Sequence, residues 1–353
     1  MSKKKAGIDG SKTGRITSND VARYTGMSQS TVSRVLSPGS DSKIRSDTRE
    51  KILQAAKELG YKPNAIARSL TSQRTNIIGI ALSKVSSPFY SYILEGFTKR
   101  LYQMGKQVLL FCTDNDRDID EVLATVLQYR IDGLIIATAG ITSVMAEECH
   151  KNGTSVVLFN RIVPGANVNG VSCDNVSGGS LAADLFADAG YRDIAYISGK
   201  EDSSTNLDRR KGFMDRLKDR GIGSCMIEKG EYSYESGIAA TRRLFSRKTV
   251  PQAIFCASDE IALGAMHTIQ YEIGLKIPED VSIVGFDDIA MASWPFYSLT
   301  TVRQPVEEMM DYTVELLCRN MENPEMPHER KVFEAKLIRR HSAKITEIKG
   351  ESL

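Results

Sequence analysis

From Asn76 to Ser342 the chain repeats one pattern: a short unbroken apolar run, a helical stretch, then another apolar run. The runs are Ile77–Leu82, Val108–Cys112, Gly133–Ala137, Ser155–Phe159, Ile194–Ile197, Ala253–Phe255 and Val281–Val284. Apolar residues fill consecutive positions in them, not every second one, so both faces of each strand must be covered. Strands of that kind belong to parallel sheets with helices on either side, which predicts an α/β architecture. Helical spacing over Ser91–Met104, Ile119–Tyr129, Ser180–Asp188, Asp208–Arg220 and Ser236–Leu244 supplies the covering layers. A body of about 265 residues is large for one open sheet, so two lobes are expected. Ligands of such sheets bind beyond the carboxyl ends of the strands.

The segment ahead of this body differs in charge. Residues 1–75 carry 15 Lys and Arg against 6 Asp and Glu, a net +9, while the remainder stands at −7. A small basic head on an acidic body suits a polyanionic partner; a basic tail on an enzyme is the other reading that charge alone allows. With 41% hydrophobic and 25% charged residues the chain is not a disordered one. No apolar run approaches the ~18 residues that span a membrane. Lys3, Lys4 and Lys5 are not followed by an apolar stretch, as a secretory signal would require. The six cysteines are scattered, without C-x-x-C pairs, as in reduced thiols of a cytoplasmic protein. Neither a metal site nor a cofactor is expected, since there is no His cluster or paired Cys spacing.

Within the head, Asn19–Thr25 and Gln29–Leu36 read as two short helices flanking Gly26. Ala22 is small enough for two helices to cross, Gly26 can adopt the positive φ of a tight turn, and Val32 fills the space between them, with Val21 and Val35 beside it. Ser28 is placed as an N-cap. This is the spacing of a helix-turn-helix, whose second helix would offer Gln29, Ser30, Ser33 and Arg34 to base edges. A third helix follows, with Ser46 as its expected cap, Asp47 in its first turn, Ile52, Leu53, Ala56 and Leu59 on one face, and Gly60 after its end. Pro63–Leu70 could form one further helix, too short and too poor in apolar residues to stand alone.

The segments DVARYTGMSQSTVSRVL, TREKILQAAKELGYKPNAIARSL and IIGIAL together resemble the lactose-repressor/galactose-repressor (LacI/GalR) family of bacterial transcription regulators, from about Ile16 to about Ser342. The resemblance implies five segments: a basic arm at 1–15, a helix-turn-helix head at 16–62, a hinge helix and linker at 63–75, a two-lobed body like a periplasmic sugar-binding protein at 76–342, and a short tail at 343–353. Lobe one would take about 76–173 and 304–333, and lobe two about 174–303 and 334–342. It implies DNA contacts from Thr17, Ser28, Gln29, Ser30, Thr31, Ser33 and Arg34 in the head and from Asn64, Ala67 and Leu70 in the hinge, with Leu70 as a minor-groove wedge. The loop at Pro38–Lys43 is longer than in the lactose repressor, so no loop contact is carried over.

For the body, the resemblance places an effector site at Phe89, Tyr90, Asn160, Thr205, Arg209, Tyr232, Ser258, Asp287 and Gln304. Aromatic walls with fixed Arg, Asp and Asn groups suit a polyhydroxylated ligand. Ser203 stands where the purine repressor has Arg, which argues against a purine. The implied partners are pseudo-palindromic operator DNA, a sugar or sugar-derived effector and a second copy of the chain; the segment His341–Leu353 has no apolar heptads from which to build a tetramer.

No catalytic motif competes with this reading. Ser83–Pro88 after the first strand lacks G-x-G-x-x-G, Gly199-Lys200 is not a phosphate loop, and neither G-x-S-x-G nor H-E-x-x-H occurs. The histidines at 150, 267, 328 and 341 are isolated. Three rivals remain: a sugar-acting enzyme with a basic tail, a solute-binding protein, which would need an export signal, and a family regulator driven by a phosphorylated carrier protein. Such regulators carry a basic residue where Trp294 precedes Pro295 here.

Overall fold

The computed structural model describes residues 16–36, 44–62, 74–112, 124–126, 128–137, 148–149, 151–162 and 167–344. The arm at 1–15, the loop at 38–43, the hinge contacts Asn64, Ala67 and Leu70, much of the helix expected at Ile119–Tyr129, and His150 lie outside them. The chain divides into two compact units, Met1–Thr75 and Asn76–Leu353.

The first unit holds α1 (Ser18–Thr25), α2 (Gln29–Val35) and α3 (Ser46–Glu58). Thr17 starts α1, its N–H and hydroxyl both donating to Asp20. Gly26 ends it with φ +71°, a value that strains any residue bearing a Cβ. Two residues later Ser28 caps α2, accepting from Thr31 N. Val21, Ala22, Val32 and Val35 then meet Ile52, Ala55 and Ala56 of α3 in a small closed core. Tyr24 donates to Glu58 across its edge at 2.9 Å. The cap expected at Ser46 is corrected: the helix begins at Ser46 itself, and the cap position falls to Arg45, whose side chain caps nothing. The Asp47 carboxylate turns to Thr48 N, one residue on.

The second unit contains two six-stranded sheets. The first comprises β1 (Ile77–Leu82), β2 (Gln107–Cys112), β3 (Gly133–Ala137), β4 (Ser155–Phe159), β5 (Asn169–Cys173) and β11 (Arg330–Phe333), in the order β11-β5-β4-β3-β1-β2. The second comprises β6 (Ile194–Ile197), β7 (Met226–Glu228), β8 (Ala253–Cys256), β9 (Ser282–Asp287), β10 (Thr300–Arg303) and β12 (Lys336–Ile338), in the order β12-β10-β9-β8-β6-β7. All pairings are parallel except β10 with β12. The unbroken apolar runs behave as their composition requires: β3, β4, β6 and β8 are buried along their whole length.

Helices α4 (Pro88–Gln103), α5 (Asn175–Asp188), α6 (Ser204–Asp219), α7 (Tyr234–Phe245), α8 (Asp259–His267) and α9 (Val306–Glu322) pack on these sheets. Pro88 opens α4 at a position where its missing N–H costs nothing, three residues before the expected start. Phe97 on α4 meets Phe159 edge to face at 5.0 Å. On the second sheet Tyr196, Phe213 and Phe255 close on one another, and Tyr196 donates to Asn206 near the start of α6. The chain crosses between the sheets after Cys173, after Arg303 and between Phe333 and Lys336. The crossings run side by side: Asp174 N donates to Phe333 O at 2.7 Å, and Arg303 pairs with Lys336.

Candidate functional site

On the head, Gln29, Ser30, Ser33 and Arg34 are exposed along one side of α2, away from the buried Val32 and Val35. Ser28 and Thr31 stand at the helix start, where the Ser28 hydroxyl lies 2.8 Å from that of Thr31. Gln29 Nε2 donates to Ser18 Oγ at 3.3 Å, which steadies the first side chain of the row. Two short helices thus present polar groups of base-reading type on a helix whose far side is anchored in a core.

In the body, both sheets show the same reversal of strand order, at β1/β3 and at β6/β8. Loops leave such a point in opposite directions and open a crevice beyond the strand ends. A cleft of about 470 Å³ lies there. Its walls come from the ends of β1 (Ser83, Lys84), β4 (Phe159, Asn160), β8 (Ser258) and β9 (Asp287), from the starts of α4 and α6, and from the loop after β7. Of the effector residues expected from sequence, Phe89, Tyr90, Asn160, Thr205, Arg209, Tyr232, Ser258 and Asp287 all line it.

Arg209 is 2% exposed and held on three sides. Nε donates to Asn175 Oδ1 at 2.8 Å, Nη1 to Ala257 O at 2.5 Å, and the guanidinium lies 3.6 Å from the centre of the Phe286 ring. Nη2 stands 3.3 Å from Asp287 Oδ1. Asp287 has φ +114°, a strained value at the end of a strand that aims its carboxylate into the cleft wall. Burial pushes its carboxyl up to about 6, with Arg209 and the Gln304 amide pulling it back and Glu260 adding to the rise. Asn160, also at positive φ (59°), presents a buried Oδ1 with no partner among the described residues.

Aromatic side chains cover the rest. Phe89 and Tyr90 meet edge to face at 5.6 Å. Burial raises the Tyr90 phenol, so it is a neutral donor at physiological pH. The Tyr232 hydroxyl lies 3.1 Å from Thr205 Oγ1 and 3.3 Å from Ser203 Oγ. At the mouth, Ser87 ahead of α4 donates to Glu260 of α8 at 2.5 Å, a bond between the two lobes. Beneath the floor, Asp259 is fully buried, accepts from Thr301 Oγ1 and Ile289 N, and is pushed well above the carboxylate range by burial, with Asp287 nearby.

Gln304 is the exception among the expected residues. It does not line the cleft. It sits at the crossover behind it, 2% exposed, and its Nε2 donates to Asp287 Oδ1 at 2.7 Å. Its place in the chain, directly after β10, puts it on the far side of β9, so it supports the carboxylate from behind. Sequence reasoning missed Lys84, Lys200, Glu231 and Glu260, which also line the cleft; Arg161, which follows a strand beside Asn160, lines it too. Lys84, Lys200 and Glu260 each follow closely on a strand (β1, β6 and β8), and that position was the signal available for them.

Residues 17–64 match the family model described as bacterial regulatory proteins, lacI family, and residues 183–343 match a periplasmic binding protein-like domain. Catabolite control protein A of Priestia megaterium is 31% identical over 310 residues, spanning 87% of this chain and 92% of that protein. The ribose operon repressor of Escherichia coli strain K12 is 30% identical over 339 residues, 93% of this chain and 99% of that one. The chain belongs to the lacI family of bacterial regulatory proteins.

It is therefore a DNA-binding transcription regulator and not an enzyme. Among solved structures, this lacI-family chain is similar to a lac repressor dimer bound to operator and the anti-inducer ONPF, with a TM-score of 0.84 at 26% identity over 93% of this chain and 99% of that one. It is also similar to a CelR–cellobiose complex, with a TM-score of 0.70 at 30% identity over 93% of this chain and 100% of that one. Among the described residues no helix of this family member is long and apolar enough to cross a membrane.

Proposed function

We propose that the chain is a cytoplasmic repressor. It acts as a homodimer that sets two helix-turn-helix heads on a pseudo-palindromic operator and releases or tightens its grip when a sugar or sugar derivative enters the cleft. Two heads are needed because one recognition helix reads only a few base pairs. Arg34 is the residue best suited to take a guanine by two hydrogen bonds, with Gln29, Ser30 and Ser33 beside it and Thr17, Ser28 and Thr31 at helix starts toward phosphates. Asn64, Ala67 and Leu70 would follow into the minor groove.

The observation that carries the ligand class is the Arg209–Asp287 pair in the wall of the cleft, which aromatic rings also line together with Asn160, whose Oδ1 has no partner among the described residues. A fixed donor, a fixed acceptor and apolar ring faces match alternating hydroxyls and C–H faces. The names of two relatives support the same class: one regulates a ribose operon and the other was solved with cellobiose. Calorimetric titration of the full chain with neutral sugars, sugar phosphates and sugar acids tests this, followed by operator binding with each hit. One class is expected to bind saturably and change operator affinity, and Arg209→Ala is expected to abolish both effects. Binding of purines alone, or an unchanged response in Arg209→Ala, would refute the reading.

A further inference from the structure

Tyr232 forms its part of the cleft wall because of three residues that do not themselves need to touch a ligand. An ideal Cβ built on Gly199 would lie 2.3 Å from Tyr232 Cζ, 2.5 Å from Cε1 and 2.7 Å from Cε2. Real Cβ atoms do not approach that closely, so the ring occupies space that only glycine leaves open. The backbone at this point cannot retreat. Gly199 N donates to Asn206 Oδ1 at 3.0 Å, Asn206 Oδ1 also accepts from the buried Tyr196, and Gly199 O accepts from Ser198 Oγ at 3.0 Å. On the other side, the hydroxyl is held by Ser203 and Thr205, whose own hydroxyls are 2.7 Å apart. Ser203 is itself fixed as the cap of α6, accepting from Asn206 N. The ring is therefore laid against the main chain at Gly199 and tied at its tip, where it forms part of the cleft wall.

We propose that Gly199, with Ser203 and Thr205, is the positioning element that sets the ring plane of Tyr232 and through it the size of ligand the cleft accepts. This rests on the reading of the cleft as a carbohydrate site. Thr205 thereby changes role: its hydroxyl is spent on Tyr232, and Tyr232 offers a ring face in place of a free O–H. A methyl at 199 displaces the ring in the one direction left to it, into the cleft. The space lost is lost along the wall that a second sugar unit or a bulky substituent would lie against, so larger ligands suffer more than smaller ones.

The test uses the full chain carrying 3-fluorotyrosine, with the Tyr232 resonance assigned by Tyr232→Phe. In Gly199→Ala the fluorine resonance of Tyr232 is expected to shift in the ligand-free protein. Affinity for the effector is expected to fall about tenfold, ~1.4 kcal/mol, with disaccharides losing more than monosaccharides. In a Tyr232→Leu background the same Gly199→Ala change is expected to cost nothing further, because the displaced ring is gone; Thr205→Val should reproduce part of the fluorine shift. An unmoved resonance in Gly199→Ala overturns the proposal, as does an equal loss of affinity in both backgrounds. The fluorine readout needs no ligand, so a wild-type chain that bound no sugar would refute the carbohydrate reading and still leave the ring-positioning claim tested.

Discussion

With Asp287 as the acceptor of the proposed sugar site, effector binding should depend on pH in a way that can be worked out in advance. Burial raises it from an ordinary 3.8 to about 6, against the pull of Arg209. A ligand hydroxyl donates to the ionised form, so affinity follows the ionised fraction. That fraction is roughly 0.9 at pH 7 and 0.1 at pH 5, so affinity should fall about tenfold between them, ~1.4 kcal/mol. The stability sign is opposite. An acid whose folded value lies above its unfolded one binds its proton more tightly when folded, so this group costs stability as pH rises from 3.8 through 6. Effector affinity therefore improves over the same window in which this residue's contribution to stability declines. Glu260 faces the same cleft and is also raised by burial, so Glu260→Gln is the control that isolates Asp287. The assay is calorimetric titration of the effector from pH 5 to 8 with wild type, Asp287→Asn and Glu260→Gln. Wild type should show the inflection near pH 6, Glu260→Gln should keep it but moved to lower pH because the Glu260 charge adds to the rise, and Asp287→Asn should bind weakly at every pH without it. An inflection that persists in Asp287→Asn would refute the assignment of the proton to this carboxylate.

Arg34→Ala should cost about 1–3 kcal/mol on operator and relax base preference at one position, while substitution of Lys3, Lys4 and Lys5 should weaken all DNA alike and flatten the salt dependence; mobility shifts over a salt series separate the two. Leu70→Ala should weaken operator binding strongly and leave effector affinity in the isolated chain unchanged, measured by calorimetry, since a minor-groove wedge acts only on bent DNA. Ile52 is fully buried against α1 and α2, so Ile52→Ala should cost about 2–5 kcal/mol, enough to melt a core of this size; thermal unfolding should show the head lost first and effector binding retained.

What the sequence made legible was whatever a local pattern encodes. Gly26 and Ser28 declare the turn because each has a chemical reason to stand there. The central strands declare themselves because a strand covered on both faces must be apolar throughout. Strands β5, β10 and β11 escaped notice because polar residues form much of them, and β7 and β12 because each is only three residues long. Thr300 and Thr301 of β10 are buried with their hydroxyls spent on Arg340 N and Asp259, and Asn169 of β5 is fully buried and accepts from Glu329 N. Their partners lie tens of residues away, so no window along the chain contains the reason for their burial. The same holds in the cleft. Arg209 and Asp287 were readable from their motifs, but that Gln304 props the carboxylate from behind and Gly199 makes room for Tyr232 depends on contacts between distant loops.

The three crossings between the sheets form a narrow hydrogen-bonded ribbon, and that constrains how the body can move. Two bodies joined along one line turn most easily about it, here at the cost of the Ser87–Glu260 bond at the mouth; sliding or twisting would have to break the bond from Asp174 to Phe333 and the β10–β12 pairing. Whatever a ligand contributes by touching both lobes is thus channelled into one angle and not dissipated over many. Gln304 belongs to that ribbon, one residue past Arg303, and its amide holds Asp287. Arg303 is also the β10 partner of Asp287 and donates to Asp288, so a change in the angle would reach the end of β9, where the proposed acceptor stands, through strand pairing as well as through that amide.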